Sequence, residues 1–291
     1  MNFTNGKELI ELCNKHHKKI YEIMLEKEVH LSGLSIEDIR EKMRVSLEIM
    51  KKSVDTALNE GVKSVSGLIG GEAKQIHERS IHHKSVCGSI MSKAVSSAMG
   101  VLEVNAAMGK IVAAPTAGSC GIIPGTLVTI QEEFDLDDEE IINALITASA
   151  VGMIITRNAT VAGAEGGCQA ETGSAAAMAA AAVVELMGGS PEASLHAASM
   201  CIKNILGLVC DPIAGLVEAP CQKRNALGAA NALISAEIAL AGVPSIIPFD
   251  EVVDTMYRVG RAIPFELRET ALGGLADTPT GRSIQKQILG E

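Results

Sequence analysis

The stretch Ser174-Ala-Ala-Ala-Met-Ala-Ala-Ala-Ala-Val-Val-Glu-Leu-Met187 decides the fold. Alanine loses no side-chain freedom on winding into a helix and is the strongest helix former. The run stops at Gly188-Gly189, and Ser190-Pro191 then supplies an N-cap and a proline at the first helical position, so a second helix starts at once and ends near Gly207. The same punctuation recurs outward in both directions. Upstream, Asp137 caps a helix running to about Thr156. Ser35-Ile-Glu-Asp38 reads as a capping box. Behind it Ile36, Ile39, Met43, Leu47, Met50, Val54 and Leu58 step by three and four until Gly61. Downstream, Gln222 to Ala241 is closed by Gly242, and Pro248-Phe-Asp and Pro264-Phe-Glu start two more helices. Lys110 to Ala114 is the best strand candidate, and it is short. The sequence therefore predicts an all-α, multi-helix protein. Residues 1–60, more polar than the rest, read as a helical lead-in packed on a main helical body at 61–291.

Composition fits that architecture and excludes several functions. Of 291 residues, 47% are hydrophobic, yet there are only four Phe, two Tyr and no Trp. The core is built from small aliphatic side chains, and 28 glycines let backbones approach closely. A net charge of −10 argues against nucleic acid and anionic membranes as partners, because both select basic patches. The N-terminus carries charges throughout and shows no signal-peptide core. The longest uncharged run, Ile111 to Gln131, is broken by Pro115 and Pro124, and Ile141 to Thr156 is shorter than a membrane span. A cytoplasmic protein is expected. Seven cysteines, an odd number in a long chain, read as reduced thiols and not as a disulfide framework.

Chemistry is expected in the Gly/Pro-rich loops between helices. These include Ser66-Gly-Leu-Ile-Gly-Gly-Glu-Ala-Lys74, Pro115-Thr-Ala-Gly-Ser-Cys-Gly121, Ala164-Glu-Gly-Gly-Cys-Gln-Ala-Glu171, Cys210-Asp-Pro212 and Ala219-Pro-Cys-Gln-Lys-Arg-Asn225. No Cys-x-x-Cys occurs, which removes zinc-ribbon and thioredoxin readings. Cys168 and Cys221 each stand just before a predicted helix, where the helix dipole lowers a thiol's pKa, and Cys210 follows a helix end. A shared metal or cluster and separate structural thiols both remain open on pattern alone. Cys13 and Cys201 fall inside helices and read as packing residues, whereas Cys87 and Cys120 stay ambiguous.

The segments SGLIGGEAK, PTAGSCGIIPG, AGAEGGCQAE, CDP and APCQKRN, in this order and spacing, resemble the α subunit of bacterial iron–sulfur-dependent L-serine dehydratase. The resemblance runs from about residue 60 to the TPTG segment near the C-terminus. It implies a [4Fe–4S] cluster held by three cysteines, which match Cys168, Cys210 and Cys221. It also implies a separate β subunit and the deamination of L-serine to pyruvate and ammonia. Three ligands leave one iron open, and an open iron suits the expulsion of hydroxide as a Lewis acid.

The small zwitterionic substrate needs a seat for its carboxylate. Ser66, Gly67, Gly70 and Gly71, with Lys74 one turn on, form one candidate, and Thr116 and Gly118 a second; each also reads as a glycine-dependent tight turn. Glu165 and Glu171 flank the cluster loop and either bind the ammonium group or brace the loop. Arg224-Asn225 is placed to hydrogen-bond the cluster or the substrate, and Arg157-Asn158 invites the same reading. His77, His82 and His83 have the intrinsic pKa of a general base but equally read as a solvated face; the base stays unassigned, with these histidines and the partner chain as its candidate sources. Three competing readings stay open: the same chemistry on L-threonine or L-cysteine, a pyridoxal-phosphate enzyme using Lys74, and a non-catalytic cluster-bearing sensor.

Overall fold

Thirteen α-helices and no β-strand make up residues 1–290, the part of the chain described in the computed structural model. They are α1 (Gly6–His16), α2 (Ile20–Ser32), α3 (Ile36–Asp55), α4 (Glu72–His82), α5 (Gly88–Ala106), α6 (Ile122–Phe134) and α7 (Asp138–Asn158). The single turn α8 (Gly163–Gly166) follows, then α9 (Ser174–Leu186), α10 (Pro191–Lys203), α11 (Cys221–Leu240), α12 (Phe249–Ala262) and α13 (Pro279–Leu289). The predicted starts hold in atomic detail. The hydroxyl of Ser35 accepts from the Asp38 N–H, the carboxylate of Asp137 from the Glu140 N–H, and Ser190 from the Ala193 N–H ahead of Pro191. The last turn after α3 widens into a π-turn at Thr56–Glu60 before Gly61, at φ 75°, ends it.

The alanine-rich α9 is the axis of the molecule. It is buried from Ser174 to Glu185 and packs against α6, α7, α10 and α11. Small side chains permit this crowding, because interhelical distance is set by the residues at the contact. Among the described residues, α7 alone is long and apolar enough to cross a membrane, and most of that stretch is buried inside the protein.

Residues of the N-terminal segment enter the same core: Phe3, Leu9, Cys13, Ile20 and Ile23 are buried with Ile142, Ile146 and Val151 of α7. Carboxylates of the body cap the two leading helices. Asp250 accepts from the N–H groups of Gly6 (2.7 Å) and Lys7 (3.0 Å) at the start of α1, and Glu185 accepts from Ile20 (2.6 Å) and Tyr21 (3.2 Å) at the start of α2.

Three local expectations are corrected. Lys110 to Ala114 is irregular, because no neighbouring chain pairs with it; the one isolated bridge among the described residues joins Cys210 to Arg268. Pro264-Phe-Glu starts only a 3₁₀ turn, Phe265–Leu267. The chain is pulled out of helical winding where Cys210 N–H donates to Leu267 C=O (2.8 Å) and Glu269 N–H donates to Cys210 C=O (2.7 Å). Finally, α10 stops at Lys203, and the chain reaches Gly207 through further turns.

Candidate functional site

The loops after α5, α7 and α10 meet at the start of α11, and they bring Cys168, Cys210 and Cys221 into one buried pocket. The three residues are 4%, 3% and 8% exposed. Cys168 stands at the head of a π-turn, Gln169–Gly173, that leads into α9, and its sulfur lies 3.1 Å from the Thr172 hydroxyl. Cys221 is the first residue of α11. Cys210 sits on the isolated bridge to Arg268.

Buried polar side chains fix these segments to one another. Gln169 donates to the carbonyls of Gly166 and Met256 and accepts from the Gly207 N–H, which ties the Cys168 turn to α12 and to the chain entering Cys210. Arg224, one turn into α11, donates to Val209 C=O (3.0 Å) and to Asp211 (2.7 Å), holding Cys210 from both sides. Asn225 donates to Gly118 C=O (2.8 Å) and accepts from Gly121 N–H (2.9 Å), locking the Pro115–Gly121 loop against Cys221. Arg224 and Asn225 are therefore braces of the cysteine segments, and Arg224 also faces the Cys168 thiol.

Burial governs the electrostatics. It pushes the Cys168 and Cys210 thiols up and raises Cys221 to about 12, and neighbouring thiolates add to the rise at Cys210 and Cys221. The helix-dipole lowering expected for Cys168 and Cys221 is outweighed: leaving water disfavours a thiolate more than one helix terminus favours it. Arg224 acts in the opposite direction on both. Glu171, half-buried, is raised to about 6 by desolvation, opposed by a hydrogen bond from Thr116 and reinforced by nearby Glu269.

Two glycines let the backbone pack closely against these groups. A Cβ on Gly163 would stand 2.9 Å from Glu171 Oε2, 3.0 Å from Cys210 Sγ and 3.2 Å from Glu269 Oε2. One on Gly118 would stand 3.1 Å from Glu171 Oε1. A thiol, two carboxylates and the Gly118 loop thus converge on one small space. Among the described residues no three His, Cys, Asp or Glu side chains close on a single point as one metal ion requires. Three buried thiols set wider apart and faced by an arginine suit a multi-iron cluster, in which each cysteine attaches to a different iron.

The other predicted residues are distributed as follows. Thr116 and Gly118 lie beside Glu171. The Ser66–Lys74 loop lies beside Gln222, and the protein's own carboxylates occupy its N–H groups. Glu103 accepts from Gly71 (3.0 Å) and Ala73 (2.9 Å), Glu72 accepts from Gly70 (2.6 Å), and Gln222 donates to both glutamates. Gly70 is obligatory there: at φ 141° its Cβ would fall 2.3 Å from Val62 O. The Ser66 hydroxyl donates to Glu218 and accepts from the Leu68 N–H, and Gly67 at φ 76° turns the chain. Lys74 donates to Asn59 C=O (2.8 Å), away from the thiols. His77 faces a surface cavity with Lys51 and Gln131, and His82 and His83 are exposed at the far end of α4. Glu165 and Arg157 are exposed, and Asn158 donates to Thr4 C=O. Cys13 and Cys201 are packed in α1 and α10 as expected, Cys87 is exposed at the head of α5, and Cys120 points into the core towards Val101 C=O. The sequence reading missed Gly163, Thr172 and Glu269. Glu269 stands at a left-handed φ of 65°, which no local sequence signal announces.

An all-helical scaffold that closes three loops on a buried three-cysteine pocket defines the class of this protein. Residues 15–276 match the serine dehydratase alpha chain family, and the chain belongs to that family. It is 50% identical over 288 residues to the "Probable L-serine dehydratase, alpha chain" of Bacillus subtilis, spanning 99% of this chain and 96% of that protein. It is also 50% identical over 288 residues to the "L-serine dehydratase, alpha chain" of Peptoniphilus asaccharolyticus, covering 99% of both. The longer "L-serine dehydratase TdcG" of Escherichia coli is 33% identical over 94% of this chain and 61% of its own length.

Proposed function

We propose that this chain is the α subunit of a cytoplasmic L-serine dehydratase, and that Cys168, Cys210 and Cys221 hold a [4Fe–4S] cluster. The observation that carries the reading is the convergence of three buried thiols on one pocket in a chain half identical, end to end, to relatives named for that activity. When bound, the cluster supplies an open iron as a Lewis acid for the departing hydroxyl of serine. Loss of the α-proton and the β-hydroxyl gives aminoacrylate and water. Aminoacrylate tautomerises to an imine, which takes up water to yield pyruvate and ammonia.

The chain's own residues do the holding. Thr172 and Arg224 orient and charge-balance the Cys168 sulfur. Arg224 and Asp211 fix Cys210. The Gly118 loop, locked by Asn225, is held against Glu171. His77, His82 and His83 stand apart from that pocket, so the general base is assigned to a companion β chain. The experiment is anaerobic co-production with the β chain, iron and sulfide analysis, and a pyruvate assay with L-serine. A stoichiometric cluster with pyruvate release is expected from the pair, with little turnover by the α chain alone. A cluster without turnover in the complete complex would favour a sensor instead.

A further inference from the structure

We propose that Glu171, assisted by Glu269, is the substrate-positioning residue that receives the ammonium group of the amino acid; the assignment rests on the function proposed above. Buried carboxylates are costly unless donors or a cation face them. The deeply buried carboxylates of the chain have such partners, and Glu171 is half-buried. Glu103 takes two backbone N–H groups and an amide, Glu185 takes two N–H groups and the Thr147 hydroxyl, and Asp211 takes Arg224 and the Leu275 N–H. Glu171 has the Thr116 hydroxyl nearby, which also pairs with Ser119 Oγ (3.1 Å), and, instead of a cation, a second carboxylate, Glu269. No ion pair reaches either one among the described residues. A cation from outside the chain would balance this pair.

The backbone at Gly163 brings the two carboxylates and a thiol to one point: a Cβ there would stand 2.9 Å from Glu171 Oε2, 3.2 Å from Glu269 Oε2 and 3.0 Å from Cys210 Sγ. An ammonium seated between Glu171 and Glu269 therefore lies next to the thiol pocket, which puts the neighbouring β-hydroxyl of a serine on the sulfur side. The two carboxylates also repel the substrate carboxylate, which fixes the direction in which the zwitterion enters. Glu165, the alternative named by the sequence, is exposed and touches none of these groups.

The test is a cycle between one side chain and one substrate group, in the anaerobic α/β complex. Wild type, Glu171→Gln and Glu269→Gln are compared with L-serine, read as KM and kcat, and with 3-hydroxypropanoate, which keeps the carboxylate and hydroxyl but has no amine, read as a competitive inhibition constant. Glu171→Gln should raise the serine KM by about tenfold or more, since a charge-assisted hydrogen bond is lost. It should leave the inhibition constant of 3-hydroxypropanoate within about twofold, with iron content unchanged. Glu171→Asp should recover part of the serine affinity. Glu269→Gln, at an exposed position that folding tolerates, should raise the serine KM alone and by less. Equal weakening of both ligands, loss of iron from Glu171→Gln, or an unchanged serine KM in both glutamine variants would overturn the assignment. A wild-type complex that yields no pyruvate removes the proposed function, and this inference with it.

Discussion

Arg224 Nη2 lies 2.7 Å from Asp211 Oδ1, a nearly buried ion pair that joins the helix headed by Cys221 to the loop of Cys210. Asp211 also accepts from the Leu275 N–H (2.7 Å), and a Cβ on Gly274 would fall 2.4 Å from its carboxylate. The arginine reaches two acceptors with the two arms of one planar fork, and no other side chain offers that shape.

Arg224→Lys should therefore keep the fold but lose one of the two braces. The expected outcome is substoichiometric iron after anaerobic reconstitution, and faster iron loss to a chelator. Wild-type iron retention would show that the fork is dispensable.

Cys168→Ala, Cys210→Ala and Cys221→Ala should each deplete iron and abolish pyruvate formation, because two thiolates hold a cluster poorly. Cys13→Ala and Cys201→Ala should retain both. Cys120, buried away from the pocket, should behave like this second group and lose about 1 to 2 kcal/mol of stability through the cavity left in the core. Iron analysis with chemical denaturation on all six variants separates the groups; iron loss in Cys120→Ala would contradict its placement.

Gly163→Ala places a methyl group within 3.2 Å of Glu171, Cys210 and Glu269. The backbone at Gly163 is helical and carries no positive φ, so the protein should fold. Serine turnover should fall by well over tenfold, because the methyl group displaces Glu171 and Cys210 from one another. Near wild-type kcat/KM would mean that their close placement is not used.

Glu185→Ala should destabilise the protein by about 3 kcal/mol, since it strands two buried N–H groups at the start of α2. A pH signature follows from desolvation, which raises the Glu185 carboxyl above its ordinary value. The folded state then holds its proton more tightly than the unfolded one. The group's contribution is complete below the unfolded value of about 4.3 and declines as pH rises through the folded value. Denaturation of wild type and Glu185→Gln should show their stability difference narrowing over that range. A difference that widens would reverse the sign assigned to this group.

Local rules carried most of the fold. Ser35, Asp137 and Ser190 are short-range caps, and their hydrogen bonds reach only three residues ahead, so the sequence alone is enough to find them. The failures are long-range. Nothing near Pro264 announces that Cys210, more than fifty residues earlier, takes up the N–H of Glu269 and straightens the chain. Within the pocket, the helix-end context of Cys168, Cys210 and Cys221 left separate structural thiols open, and it was the family resemblance that implied one shared ligand set; the Gly-rich loops offered Thr116 and Gly118 as one of two candidate substrate seats. The Ser66–Gly71 loop looked like an anion seat for sound local reasons. Its anion turns out to be Glu103 on α5, a fact that depends on how α4 and α5 pack. Glu269 was invisible because its role depends only on where the Cys210 bridge delivers it.

The complete burial of α9 bears on how divergence in this chain should be interpreted. Positions 174 to 185 have no solvent-facing side, and every one answers to a neighbouring helix. Invariance there among descendants would record steric confinement and say nothing about catalysis. Glu269 is the opposite case, an exposed side chain at a strained backbone position. Drift would erase it quickly if it did no chemistry, so its persistence or loss in lineages is the more telling historical mark.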